Sequence, residues 1–311
     1  MQNVLTVIFP VFALIGLGYF MVKRDLFSQN GVNDLTRFIF FLAVPALLFR
    51  TSASGIMGQN LEFSILFAYY GMGLLMLFGT YFLNRHIGHE RSVVSGISAS
   101  FSNLALIGLS ITQTAYPPEA LAPLVTIITF NAMILFTIPC VMIETGRNPN
   151  ANIFGIIKNS IKSVITNPLV VALVSGWIFS NTGWTLPIAI DHTTEILSKA
   201  AAPCALFAVG GGMARYSLRL EETKWPVLIA SCAKLLIMPL GVWLLCHYVF
   251  QASPLWTMIA TLGAAMPTGA NPFVFATRYK VGDRIAGNAI LLTTTLSIVT
   301  LTTFLLLFPS P

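Results

Sequence analysis

Apolar runs close to 20 residues long recur from one end of this 311-residue chain to the other. A helix needs about 20 mostly apolar residues to cross the hydrocarbon core of a bilayer. Repetition of that length therefore selects a polytopic helical membrane protein over any soluble fold. Charged residues make up 9% of the chain and hydrophobic residues 56%, whereas soluble domains carry about 25% charged residues. Ten spans are expected, at 4–22, 35–53, 62–84, 92–115, 120–144, 161–180, 194–214, 226–250, 254–277 and 285–308. The first has no basic residue before it and Lys23-Arg24 after it, so it reads as an uncleaved span.

The basic residues alternate along the chain. Lys23, Arg24 and Arg37 follow or flank the first span, Arg85 and Arg91 the third, and Arg147, Lys158 and Lys162 the fifth. Arg215, Arg219 and Lys224 follow the seventh, and Arg278, Lys280 and Arg284 the ninth; together these are 14 of the 17 basic residues. Cytoplasmic connections carry the Lys and Arg excess, so these loops are expected inside and both termini outside. The net charge of +6 is thereby a membrane signal, and no nucleic-acid partner is expected. Cys140, Cys204, Cys232 and Cys246 stand singly in apolar segments, which indicates neither a disulfide framework nor a zinc site.

The two halves repeat. Ala43-Val44-Pro45-Ala46-Leu47-Leu48-Phe49 matches Ala201-Ala202-Pro203-Cys204-Ala205-Leu206-Phe207 at a step of 158. Asn131-Ala132-Met133-Ile134-Leu135 matches Asn288-Ala289-Ile290-Leu291-Leu292 at a step of 157. A unit of five spans forces the two copies into opposite orientations, as in secondary transporters. The predicted units are 1–144 and 161–311, joined by a cytoplasmic loop at 145–160.

Spans four and nine correspond in this repeat, and both are interrupted at membrane depth. The ninth holds Pro267, Gly269, Asn271 and Pro272; the fourth holds Ser102, Asn103, Gly108 and Ser110. Proline removes a donor from the helix ladder, and irregular backbone at membrane depth is tolerated only where protein buries it or water lines it. Two such helices are expected to cross. Their freed backbone groups and helix N-termini would then form a site suited to an anion.

Several segments resemble the auxin efflux carrier family. Met266-Pro267-Thr268-Gly269-Ala270-Asn271-Pro272-Phe273-Val274-Phe275-Ala276, followed by Tyr279, is similar to its ninth span, and Phe38 to Phe49 to its second. Ser102-Asn103-Leu104 with Gly108-Leu109 resembles its fourth span, Asn167-Pro168 the start of its sixth, and Lys234-Leu235-Leu236 with Pro239 its eighth. The resemblance implies ten helices in two inverted five-helix repeats with crossed broken helices four and nine. It also implies a scaffold of spans 1, 2, 6 and 7, a transport part of spans 3–5 and 8–10, and a homodimer. Bacterial members are described as carriers of malonate and other small carboxylates. This chain departs from the plant members at Ser110, where they have Pro, at Leu169, where they have a second Asn, and in its short 145–160 connection. Those departures favour a small anion over auxin.

Asn103 is the leading substrate contact, with Ser102 beside it and Thr268 and Asn271 as the equivalent polar groups of span nine. Asn131 and Asn288 are the repeat-related pair expected to brace the crossing or touch the ligand. Gly108, Ser110, Pro267, Gly269 and Pro272 shape the crossover backbone. Lys234 is the one basic residue deep in a span, and serves either as a charge partner for the substrate or as a tether for the crossover carbonyls. All 11 acidic residues fall in loops or at span ends, so no carboxylate-rich ion site is expected. A coupling ion, proton or sodium, is left open, and no metal or cofactor is expected. His86-Ile87-Gly88-His89-Glu90 lacks a metalloprotease order, and Gly210-Gly211-Gly212 lacks the Lys of a phosphate loop. No catalytic triad is visible, and an enzyme is not expected. The expected function is secondary transport of a small organic anion such as malonate across the inner (cytoplasmic) membrane. The alternatives are an exporter of auxin-like aromatic carboxylates and an anion-selective channel.

Overall fold

The computed structural model describes residues 2–55, 62–148, 153–216, 221 and 223–308. In chain order the helices are α1 (Gln2–Lys23), α2 (Gln29–Phe38), α3 (Val44–Ala53), α4 (Ser64–Leu83), α5 (His89–Ser100) and α6 (Leu109–Ala115). Next come α7 (Leu121–Leu135), α8 (Thr137–Arg147), α9 (Ile153–Ile165), α10 (Pro168–Thr182) and α11 (Ile188–Met213). The chain closes with α12 (Lys224–Cys232), α13 (Met238–Leu244), α14 (Pro254–Ala265), α15 (Asn271–Tyr279) and α16 (Asp283–Leu307). Widened π turns at Ile39–Ala43, Leu104–Gly108, Ala233–Ile237 and Leu245–Val249 connect or extend some of these helices.

Among the described residues, five helical stretches are long and apolar enough to cross a membrane: Gln29–Ala53, Ser64–Leu83, Ile188–Met213, Lys224–Val249 and Asp283–Leu307. Shorter apolar helices, such as Leu104–Ala115, Pro168–Thr182 and Pro254–Ala265, lie where the sequence carries breakers. Large apolar side chains stay exposed, among them Phe9, Phe67, Trp177, Leu240 and Val299. A bilayer covers such faces. Together these features describe an all-helical, multi-pass membrane protein.

The 145–160 connection differs from expectation. α8 runs through Arg147, and α9 is helical from Ile153 on, so Lys158 rides on a helix rather than a loop. Ile153, Phe154, Ile156, Ile157 and Ile161 recur at helical spacing, which is enough to form an amphipathic turn sequence. The helix stops at Asn167-Pro168, because the residue before a proline is pushed out of the α region. Asn167 is extended (φ −67°, ψ 125°), and its side chain accepts from the N–H of Leu169 to start α10. Residues 149–152 and Arg219, counted among the cytoplasmic signals, lie outside the described residues.

The helices pack in two groups. α1, α2, α3, α10 and α11 contact one another, while α4, α5, α7, α12, α13, α14, α15 and α16 form the other cluster. Small residues set the tight contacts in the first group. Gly18 on α1 abuts the carbonyl of Phe207 on α11, and Gly176 on α10 abuts the carbonyl of Phe49 on α3. Small residues let membrane helices approach closely without lipid between them. Arg50 adds a polar clasp by donating to the Asp191 carbonyl at 2.7 Å and Thr194 Oγ1 at 3.0 Å while pairing with the Asp191 carboxylate.

Candidate functional site

Both interrupted helices break where the sequence places polar and proline residues. α5 ends at Ser100, and Phe101 is extended (φ −92°, ψ 107°). α14 ends at Ala265, and Met266 is extended (φ −59°, ψ 145°). The two short extended stretches meet in an antiparallel bridge between Ser102 and Thr268. The N–H of Asn103 donates to the Pro267 carbonyl at 2.8 Å, and the N–H of Gly269 to the Phe101 carbonyl at 2.9 Å. A Cβ on Gly269 would come within 3.2 Å of the Ser102 carbonyl, so this close approach favours glycine.

The surrounding side chains complete the junction. Thr268 is fully buried; its N–H donates to Thr293 Oγ1 at 3.0 Å, and its hydroxyl donates to the Ser98 carbonyl at 2.8 Å. Tyr69 donates to the Ser102 hydroxyl at 2.8 Å. Ser110 donates back to the Leu106 carbonyl, and the N–H of Gly108 to the Asn103 carbonyl at 3.0 Å. The expectation that the freed backbone would itself receive a ligand is therefore corrected in part. The N–H groups of Asn103, Thr268 and Gly269 are committed within the protein, because an unpaired buried donor is costly. Pro272 sits at the start of α15 rather than in the break, where its missing N–H costs nothing.

Beside the crossing lies a cavity of about 230 Å³. Asn103 and Leu106 line it from the first restarted helix, and Ala270, Phe273 and Val274 from the second. No side chain caps either restart, at Leu104 or at Asn271. The opposite wall comes from α2 and α11 through Asn33, Thr36, Gly212 and Met213, with Arg215 and Tyr216 just beyond. A second hollow of about 310 Å³ shares Arg215, Tyr216 and Phe273 and adds Asp283, Arg284 and Asn288. The rings of Tyr216 and Phe273 meet edge to face at 4.8 Å where the two hollows adjoin. Burial pushes the Tyr216 phenol up to about 12, so it stays a neutral hydrogen-bonding group.

The structure therefore gathers only some of the expected residues. Asn103 reaches the cavity, with 8% of its surface exposed. Ser102 and Thr268 form the junction behind it, and Asn271 starts α15. Asn288 lies in the adjoining hollow and donates to Thr223 Oγ1 at 3.0 Å. Asn131 is buried on α7, and its Oδ1 has no hydrogen-bond partner among the described residues. Lys234 is fully buried and lines neither hollow.

The basic group at the cavity is Arg215, which sequence reasoning treated only as a topological marker. It donates to Asn33 Oδ1 at 2.7 Å, and the Gln29 amide, with its oxygen turned to the guanidinium, accepts from it at 2.6 and 3.1 Å. Arg284 stands at the outer hollow. The one signal for Arg215 was its place three residues after the glycine run, where Gly210 and Gly211 pack without room for a Cβ.

An all-helical membrane protein with two broken helices bonded backbone to backbone, beside a largely apolar cavity edged by Asn103 and Arg215, fits the class of membrane transporters. A family model described as membrane transport protein matches residues 3–305, and the chain belongs to that family, which includes the auxin efflux carriers. A protein of Rhizobium meliloti (strain 1021) named as a candidate malonate transporter is 27% identical over 318 residues, covering 100% of this chain and 97% of its own. The Escherichia coli (strain K12) protein named uncharacterized transporter YfdV is 26% identical, with 88% of each chain covered. Auxin efflux carrier component 8 of Arabidopsis thaliana is 23% identical, with 93% of each chain covered.

Proposed function

We propose that this chain is a secondary carrier that moves a small organic anion, a carboxylate such as malonate, across the cytoplasmic membrane by alternating access. The observation that carries this reading is the cavity where Asn103 and the uncapped first turns of two restarted helices face Arg215. Helix N-termini stabilise negative charge, and guanidinium binds carboxylate through paired donors. The substrate would sit against Asn103 and the restarts at Leu104 and Asn271, with Ser102 and Thr268 holding the crossing rigid. Asn288 would meet the substrate on the cytoplasmic approach. Asn131, with its unpartnered oxygen, would serve the outer approach.

The architecture we propose is ten spans in two inverted repeats, 1–144 and 161–311. The matched glycine contacts support it: Gly18 on the Phe207 carbonyl becomes Gly176 on the Phe49 carbonyl when each residue is shifted by 158 and the halves exchanged. The group containing α1, α2, α3, α10 and α11 would be the scaffold and would pair with a second copy. The α4–α8 and α12–α16 group would slide or rock against it. The basic connections would face the cytoplasm, both termini the outside, and the cavity would open inward past Arg215 and Arg284.

The deciding experiment is counterflow in proteoliposomes, with labelled malonate inside and a panel of mono- and dicarboxylates outside. Saturable exchange that is lost in Asn103→Ala supports the reading, and absence of any carboxylate exchange overturns it. The apolar members of the wall, Leu106, Met213 and Phe273, favour one second reading, an aromatic carboxylate of auxin type. Competition within the same panel separates the two. Unitary currents in place of saturable exchange would identify an anion channel.

A further inference from the structure

A third hollow, of about 390 Å³, lies where α1 of the first helix group meets α16 of the second. α1 lines it through Phe12, Ile15, Gly16, Tyr19 and Lys23, and α16 through Leu291, Thr294 and Ile298. Next along the same helices Leu17, Phe20, Leu296 and Val299 are exposed. A bilayer covers such faces, so lipid borders this slot. From Phe12 to Lys23 the slot follows α1 for about three turns, or roughly 16 Å at the α-helical rise. That is about half of the roughly 30 Å hydrocarbon core, the depth of one leaflet. Lys23 ends α1 and makes no ion pair among the described residues.

The other half of the chain carries a matching slot. The residues 158 positions after Phe12, Ile15, Gly16 and Tyr19 are Val170, Leu173, Val174 and Trp177, and all four line a hollow of about 220 Å³ between α10 and α7. The residue 158 positions after Lys23 is Asn181, an uncharged amide that donates to the Trp177 carbonyl at 2.7 Å. Shape is thus common to both slots, and positive charge belongs to one. We propose that the slot beside Lys23 is a binding site for one anionic phospholipid. An acyl chain lies along Ile15, Gly16 and Tyr19, and the phosphate sits on the Lys23 ammonium. Gly16 leaves the chain its passage, since nothing lies within 4 Å of a Cβ there. In the topology proposed above, Lys23 meets the cytoplasmic leaflet, where anionic lipids create the negative surface potential that attracts basic side chains. Both helix groups wall the slot, so lipid that fits it favours the arrangement of the groups that forms it.

The test is native mass spectrometry of the full-length protein released from nanodiscs that hold phosphatidylglycerol and phosphatidylcholine with matched chains in equal amounts. Wild type is expected to retain one phosphatidylglycerol in preference by about fivefold, the contribution of one basic side chain near an anionic surface. Lys23→Ala should keep a lipid but lose the preference. Gly16→Phe, which fills the slot, should lose the retained lipid while keeping a cooperative melt. Arg24→Ala is the control and should match wild type, because the Arg24 guanidinium sits over the Phe20 ring at 4.8 Å and does not line the slot. Equal retention of the two lipids by wild type overturns the inference without any variant. Gly16→Phe with wild-type retention, or Arg24→Ala that loses the preference as Lys23→Ala does, also overturns it and assigns the lipid to the basic surface at large. A protein that exchanges no carboxylate yet keeps its phosphatidylglycerol loses the carrier reading and retains this one, so the two failures are distinguishable.

Discussion

Gly18 lies against the carbonyl oxygen of Phe207 with no room for a Cβ between them. The contact draws α1 onto α11 within the first helix group. Gly18→Ala should force the helices apart and cost about 1–3 kcal/mol, the usual range for overpacking. Gly71→Ala is the control, since nothing lies within 4 Å of a Cβ there. Thermal melts of the purified variants check the pair: the first should melt lower and the second should match wild type.

Asn103 contributes its backbone to the crossing and its place in the wall to the cavity. Asn103→Ala keeps the N–H that bonds Pro267, so the fold should survive. Carboxylate exchange should fall at least tenfold, because a lost hydrogen bond to a charged partner is worth about 1.5–3 kcal/mol. Counterflow rates read beside a melting curve separate loss of function from loss of fold.

Arg215 should set affinity and charge preference. Arg215→Ala should weaken substrate binding roughly ten- to hundredfold, again from about 1.5–3 kcal/mol per charge-assisted bond. Dicarboxylates should suffer more than monocarboxylates. Arg215→Lys should recover only part, because a point charge lacks the paired donors of guanidinium. Competition curves for both classes of acid provide the measurement.

Arg147 ties three elements at one end of the crossing. It pairs with Glu90 at 2.6 and 3.1 Å and donates to the Tyr279 carbonyl at 2.8 Å. The hydrogen bond from Arg147 holds the Glu90 carboxyl below its ordinary value. A carboxyl depressed in the folded state stabilises at pH above its unfolded value, and that contribution is lost as pH falls through the folded one. The stability gap between wild type and Glu90→Gln should thus be present at pH 7 and close below about pH 4, where the unfolded carboxyl begins to protonate. Melting temperatures across that range test it.

Much of the fold was legible because a bilayer permits few solutions. The apolar run length is a local signal, and the long apolar helices follow from it. Breakers at Asn103 and Pro267 also announced themselves, since each conflicts with an otherwise continuous helix. The helical α9 was missed because its polar residues resemble a loop when read for composition rather than spacing. Thr268 was read as a ligand group, yet its donors go to Ser98 and Thr293, which lie 170 and 25 positions away.

The sequence by itself determined that this chain is a membrane-embedded helical protein with two broken spans, because apolar length, charge alternation and proline chemistry act within a few turns. Only the tertiary structure decided which polar groups face the cavity and which hold the crossing together. Arg215 meets Asn33 across 182 positions, and Lys234 reaches Ala264 across 30. Such pairings depend on how helices far apart in the chain dock, and a buried polar group takes whichever partner that docking brings within hydrogen-bond reach.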